Sequence, residues 1–170
     1  MFEIIKLLFD ICLFRKGPQH LPYSPSLLYS MIGVYAVVNF LTIHISVGQL
    51  SALLTVTICT LVVVGFSWGM LYFGHRLARF NQTTCALLGT DALLSFFAVP
   101  GISSMVTGGM TLLAFSVMIV LMIWHWAITG HIIRNALDQT LMFGLGLAFL
   151  YLFSLYQVLD LLFPDATIVE

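Results

Sequence analysis

Residues 76–101 read RLARFNQTTCALLGTDALLSFFAVPG, and this stretch decides the class of fold. Two bases, Arg76 and Arg79, precede an apolar segment that contains one acid, Asp91. Because proline in a helix interior removes a backbone hydrogen bond and clashes with the preceding turn, we expect this helix to end at Pro100 and the glycine after it. An apolar helix with bases at one end is typical of a membrane span, in which the bases set the orientation and an acid is energetically costly.

The composition of the whole chain predicts an integral membrane protein. Of its 170 residues, 61% are hydrophobic and 8% are charged, and the mean hydropathy is +1.07. Soluble domains carry about 25% charged residues. The net charge of −1 provides no basic surface for nucleic acid. The three cysteines are far apart and lack C-x-x-C spacing, so we interpret them as apolar fillers rather than as a disulfide or a zinc site.

The chain contains five apolar segments, each close to the roughly 20 residues that a helix needs to cross a bilayer. They are predicted at 26–45, 49–73, 82–99, 105–129 and 139–163. Because the joins between them are short, consecutive helices must return alongside one another. This predicts an all-α fold, an antiparallel bundle of five transmembrane helices over residues 26–163, followed by a short outer tail at 164–170.

An N-terminal segment, residues 1–25, precedes the first span. Residues 1–16 place their acids and the first lysine on one narrow face, which predicts an amphipathic helix lying flat at the membrane interface; packing beneath the bundle is the alternative. Residues 17–25, GPQHLPYSP, contain three prolines and predict a semi-rigid elbow. Ser24 and Pro25 then provide an N-cap and a first-turn proline for the first span.

The distribution of bases predicts the orientation of the chain. In the five-span arrangement all six fall on one side: Lys6, Arg15, Lys16, Arg76, Arg79 and Arg134. The positive-inside rule then predicts a cytoplasmic N-terminus and an outer C-terminus. Trp68, Trp124 and Trp126 lie near the same side, where aromatic residues mark the membrane interface.

Asp91 is the first candidate for a functional residue. Thr84 and Ser95 share its helix face, and Tyr35 and Asn39 of the first span are candidate partners. One hypothesis is that Asp91 is a hydrogen-bonded fastener between helices. The other is that it relays protons or cations. A proton path needs a second buried ionisable group, and the sequence predicts none at that depth.

Gly65 and Gly69 form a GxxxG motif in the second span. Small residues four apart allow two helix backbones to approach closely. With five helices in one chain, we expect the motif to pack against another span of the same chain. Dimerisation of two chains is the alternative.

A polar patch is predicted on the cytoplasmic face. Its members are Arg15, Lys16, His75, Arg76, Arg79, His131 and Arg134. We expect such a patch to contact anionic lipid headgroups or a partner protein. His125 and His131 are six residues apart and do not share a helix face, so no metal site is predicted. No nucleophile elbow or phosphate-binding loop is present, and we predict neither an enzyme nor a cofactor.

Three stretches carry a family resemblance: RKGPQHLPYSP at 15–25, HRLARFNQTTCALLGTDALL at 75–94 and WHWAITGHIIRNAL at 124–137. Together with the layout of an amphipathic N-terminus, an elbow and five spans, they resemble the bacterial branch of the Yip domain family. These are small five-pass integral membrane proteins whose eukaryotic members interact with Rab GTPases. The resemblance implies a five-span fold and a bacterial inner-membrane location.

Two functions are compatible with these patterns. The first is a structural or adaptor protein of the inner membrane that contacts partners through its cytoplasmic face. The second is a small ion- or proton-coupled transporter or channel subunit that uses Asp91. The expected partners are the lipid bilayer and other membrane proteins or further copies of the chain.

Overall fold

The protein is all-helical in a computed structural model that describes residues 2–106 and 112–162. Within those ranges there is no strand. In chain order the helices are α1 (Phe2–Cys12), α2 (Pro25–His44), α3 (Gln49–Phe73), α4 (Phe80–Val106), α5 (Leu112–Leu137) and α6 (Leu141–Leu162). Short 3₁₀ turns at Pro18–His20 and Leu77–Arg79 lead into α2 and α4.

Five of the six helices, α2 to α6, are long and apolar enough to cross a bilayer. The predicted all-α fold and the five apolar segments are therefore confirmed. The second span agrees with α3 residue for residue, and the first differs from α2 by one residue at each end. As predicted, Ser24 is the N-cap of α2, and its hydroxyl accepts a hydrogen bond from the Leu27 amide at 3.4 Å.

The predicted end of the third span is wrong. Helix α4 continues through Pro100 and Gly101 to Val106. Proline costs a helix one backbone hydrogen bond and strains the preceding turn, which kinks a helix without always ending it, and here the ring is exposed and the helix continues past it. Gly101 lies against α5, since a Cβ built there would be 2.7 Å from the Met118 sulfur.

The predicted bounds of the fourth span are also wrong. Residues 105 and 106 belong to α4, 107–111 lie outside the described residues, and α5 runs to Leu137 rather than to 129. The extra turns form because Ile132, Ile133 and Ala136 are fully buried against neighbouring helices. Consequently Arg134 is in the last turn of α5 and not in a loop. The predicted outer tail at 164–170 also lies outside the described residues.

The N-terminal segment packs against the spans. Helix α1 is shorter than the predicted 1–16, and its Leu8 side chain lies against Gly89 of α4. The Trp124 indole of α5 donates to the Cys12 carbonyl at 3.0 Å. In the elbow, the Gln82 amide of α4 donates to the carbonyls of Gln19 and Leu21 at 3.3 and 2.6 Å. The elbow is thus held on the start of α4.

Helix α4 is the most enclosed helix, and it contacts α1, α2, α3 and α5. Residues 83–90, TTCALLGT, are all buried. These mostly small side chains let neighbours approach on every side. At the same end of the molecule Arg76 and Arg79 meet Asp138, and we call this the arginine end. Towards the opposite end the helices expose large apolar side chains, including Phe96, Phe97, Leu112 and Leu113.

The closest helix contact joins α5 and α6 through Gly130 and Gly144. A Cβ on Gly144 would overlap the Gly130 carbonyl oxygen and lie 2.9 Å from the Arg134 Cβ. By contrast, a Cβ on Gly65 or Gly69 meets no atom within 4 Å. Among the described residues the GxxxG motif therefore makes no close contact with another helix, contrary to the prediction, and the close contact at Gly130 and Gly144 was not predicted.

We predict that Gly144→Ala destabilises the protein by about 1–3 kcal/mol, because the added methyl must displace backbone atoms of α5. Gly146→Ala is the matched control, since it makes the same change two residues along α6, where nothing lies within 4 Å. Thermal unfolding in mild detergent measures both. Equal midpoints for the two variants would contradict the close contact.

Candidate functional site

Asp91 of α4 faces His125 of α5. The carboxylate oxygen Oδ1 lies 3.4 Å from the imidazole Nε2. The side chains are 19% and 26% exposed, respectively, so both are mostly enclosed. Asp91 is the first residue after the fully buried stretch of α4, and His125 is three residues before the buried stretch of α5. The pair therefore lies where the tight packing of the arginine end gives way to looser packing.

Every span contributes one ionisable or hydroxyl-bearing side chain to the surroundings of this pair. Tyr35 of α2, Cys59 of α3 and Tyr151 of α6 all interact electrostatically with Asp91, and all three are buried. Together with Asp91 and His125 they form what we call the Asp91 cluster. The cluster joins all five spans around one carboxyl group.

The five members lie at similar heights above the arginine end. Asp91 follows the start of α4 at Phe80 by eleven residues, and His125 precedes the end of α5 at Leu137 by twelve. At about 1.5 Å per residue these separations correspond to roughly 17 and 18 Å. The other three members are ten to fourteen residues from the same ends of their helices: Tyr35, Cys59 and Tyr151.

His125 is a partner of Asp91 that was not predicted from the sequence. The predicted fourth span ended at 129, which put His125 beside the interface and out of reach of Asp91. With α5 ending at Leu137, the two residues come level. The sequence contains a signal for this partner, because Asp91 and His125 are almost equally many residues from the ends of α4 and α5 that lie at the arginine end. The signal can be used only when the end of α5 is known.

The other predicted polar residues divide into two groups. Ser95 and Asn39 lie one turn beyond the cluster, where the serine hydroxyl donates to the Asn39 side-chain oxygen at 3.0 Å. The Asn39 amide in turn donates to the Tyr35 carbonyl at 3.1 Å. Thr84 lies two turns towards the arginine end, fully buried, with no hydrogen-bond partner for its hydroxyl among the described residues. Of the three residues predicted to share one face of α4, Asp91 and Ser95 therefore make polar contacts within the described part of the chain, and Thr84 does not.

The chemistry available to the pair is proton exchange. A carboxyl and an imidazole that share one proton can exist as a neutral pair or as an ion pair. The ion pair requires that two charges are removed from water, which costs free energy and offsets their mutual attraction. A small change in the surroundings can therefore change which of the two forms is more stable. Within residues 2–106 and 112–162, no three His, Cys, Asp or Glu side chains are positioned to hold a metal ion.

The predicted polar patch at the arginine end is partly neutralised. Asp138 accepts from both Arg76 and Arg79, with nitrogen–oxygen distances of 2.9 and 3.0 Å. Arg79 also donates to the carbonyls of Asn135 and Ala136, at 3.0 and 3.1 Å. These carbonyls lie in the last turn of α5, where a cation is stabilising. The Arg79 hydrogen bond is the main reason that the pKa of Asp138 lies below its usual value.

The remaining patch residues have different environments. His131 is buried, and its Nε2 lies 3.0 Å from the Lys16 carbonyl, to which it donates when that nitrogen carries the hydrogen. The Lys16 ammonium pairs with Asp10 at 3.1 Å. In the part of the chain that is described, the exposed side chains of Arg15, His75 and Arg134 have no hydrogen bond or ion pair.

These helices define a multi-pass membrane protein. Comparison of the chain with protein-family models, with curated proteins and with solved structures gave no match. The resemblance to the Yip domain family therefore stays a prediction.

We predict that the Asp138 interactions stabilise the folded protein only above acidic pH. A carboxyl whose folded-state pKa is lowered contributes its full stabilisation above the unfolded value, about 3.9, and loses it as the pH falls through the folded value. Asp138→Asn is a suitable comparison because asparagine tolerates the positive φ of 54° at this position.

The midpoint difference between wild type and Asp138→Asn should be constant from pH 7 to pH 5. It should then shrink below about pH 4. Thermal unfolding in detergent over this range is the measurement. A difference that stays constant down to pH 2.5 would show that Asp138 is not stabilised as a carboxylate.

Proposed function

We propose that the protein exchanges protons through Asp91 and His125, as a small proton-coupled transporter or channel subunit. The observation that carries this proposal is the pairing of a carboxyl and an imidazole 3.4 Å apart at one level of the helices. The pair satisfies the requirement for a second ionisable group beside Asp91. An ionisable residue within a span is by default a candidate for transport.

In the proposed exchange the Asp91 carboxyl transfers its proton to Nε2 of His125, which leaves a carboxylate and an imidazolium. The reverse transfer restores the neutral pair. The phenol groups of Tyr35 and Tyr151 and the Cys59 thiol supply further polar groups around the carboxylate. The Ser95–Asn39 hydrogen bond extends the polar groups by one turn away from the arginine end.

The orientation of the Asp91–His125 pair in the membrane follows from the topology of the chain. We propose that α2 to α6 form an antiparallel bundle in a bacterial inner membrane, with the N-terminus in the cytoplasm, because all six Lys and Arg fall on one side of this arrangement. The arginine end is then cytoplasmic. Helix α1 lies at the interface, which the exposed apolar side chains of Ile5 and Phe9 on the helix, and of Leu13 just after it, support.

The second candidate function is the structural or adaptor role, with Asp91 as a fastener. The ion pair of Asp91 with His125 and its electrostatic interactions with buried side chains of the other spans favour it, because removing the carboxyl would change the interactions of several helices together. In that function the exposed cations, Arg15 and Arg134, are the groups available to a partner.

Proton flux in liposomes distinguishes the two functions. We expect wild type to carry protons down an imposed potential, and Asp91→Asn or His125→Asn to reduce the flux to that of empty liposomes. His44→Asn and Asp160→Asn are matched controls, since they make the same changes at the other end of α2 and α6 and should retain flux.

A second measurement separates loss of chemistry from loss of folding. Thermal unfolding of the same variants should show a midpoint shift for a fastener. A wild-type protein without flux, together with a destabilised Asp91→Asn variant, would overturn the transport proposal and support the structural one.

Topology has its own test, which uses single cysteines. All three natural cysteines are buried, and burial raises the pKa of the Cys12 thiol to about 11, so they react poorly with thiol reagents. In intact cells an impermeant maleimide should label Gln49→Cys, at the start of α3, and not Gln139→Cys, at the arginine end. Both positions are exposed. The opposite pattern of labelling would reverse the orientation.

A further inference from the structure

A cavity of about 330 Å³ lies between α5, α6 and the residues that follow α1. The residues that line it are Phe14, Ala127, His131, Arg134, Leu141 and Leu145. Ligand sites in proteins start at roughly this volume. The lining is apolar except for one imidazole and one guanidinium, a combination that suits an amphiphile with a negative charge.

Arg134 is the cation available in this cavity. Its side chain is exposed and has no hydrogen bond or ion pair to any residue in the described ranges. The situation differs for Arg76 and Arg79, which share Asp138, and for Lys16, which pairs with Asp10. The His131 imidazole is occupied by the Lys16 carbonyl at 3.0 Å. An anion entering the cavity therefore meets a guanidinium that has no competing partner.

The cavity lies along the helices at the depth expected for lipid headgroups. Its inner wall is at the level of the indole of Trp126, which donates to the Leu145 carbonyl at 3.0 Å. Tryptophan marks the membrane interface. Arg134 is seven residues from Ala127 along α5, or roughly 10 Å towards the arginine end. The charge is thus on the water side of the apolar wall.

We propose that this cavity binds an anionic glycerophospholipid. Its phosphate is held by Arg134, which can donate two parallel hydrogen bonds to phosphate oxygens. The first part of its acyl chain contacts Ala127 and Leu145, the apolar residues on the membrane side of Arg134, whereas Leu141, the first residue of α6, lies at the outer edge of the cavity. The apolar wall favours a lipid over an acidic soluble ligand, since a soluble anion would meet the charge of Arg134 but gain nothing from Ala127 and Leu145. The site is independent of proton exchange at Asp91.

The test compares lipids in detergent by thermal unfolding and native mass spectrometry. The probes are phosphatidylglycerol, phosphatidylcholine with the same acyl chains, and inorganic phosphate. We expect phosphatidylglycerol to raise the wild-type midpoint more than phosphatidylcholine does, and phosphate to have no effect. Arg134→Gln should weaken phosphatidylglycerol binding about fivefold, the contribution of one base to an anionic lipid surface.

Lys6→Gln is the matched control, because it removes the same charge from an exposed side chain on α1 and should leave binding unchanged. Ala127→Leu keeps the charge and fills the apolar wall, so it should also weaken binding, and it provides the test if Arg134→Gln does not fold. Equal responses to the two lipids, an equal response to inorganic phosphate, or unchanged binding in Ala127→Leu would each overturn the proposal.

Discussion

Close packing around one half of α4 is the constraint on which the rest of the structure depends. Residues 83–90 are buried on every side, so no polar side chain larger than threonine occurs there. A helix enclosed in this way needs neighbours on all faces, and α1 completes the enclosure by placing Leu8 against Gly89. Asp91 is the first position at which the enclosure relaxes. The structure therefore permits a carboxyl there, at the border of the half of the molecule in which the helices expose more of their side chains.

The energetics of the Asp91 cluster follow from this position. Burying an unpaired carboxylate in a span costs free energy. A partner that can be either neutral or charged can pair with the carboxyl group whether that group is protonated or ionised. His125 has this property, whereas an arginine would fix the carboxyl in its charged form. The distance of 3.4 Å and the partial exposure of both groups leave the pair adjustable.

The sequence predicted the helices better than the site. Runs of apolar residues are sufficient to locate spans, which explains why α3 agreed at both ends. The predicted ends of α4 and α5 were wrong because the tertiary environment decides whether the last turns form. Helix α4 continues through the exposed Pro100, and Ile132 and Ile133 of α5 become buried only when other helices are present. The error at α5 hid the partner of Asp91. Likewise, glycine spacing could not distinguish Gly65, which faces open space, from Gly144, which touches the backbone of α5.

The hydrogen bonds that hold the N-terminal segment have a consequence for how the chain can vary. The donors are side chains of the spans, namely Trp124, His131 and Gln82, and the acceptors are backbone carbonyls of residues 12–21. Every residue type supplies such a carbonyl. The side chains of the N-terminal segment can therefore change during evolution without loss of these attachments, whereas the three donors cannot. Related chains should thus be recognised by their spans, even where their N-terminal residues differ.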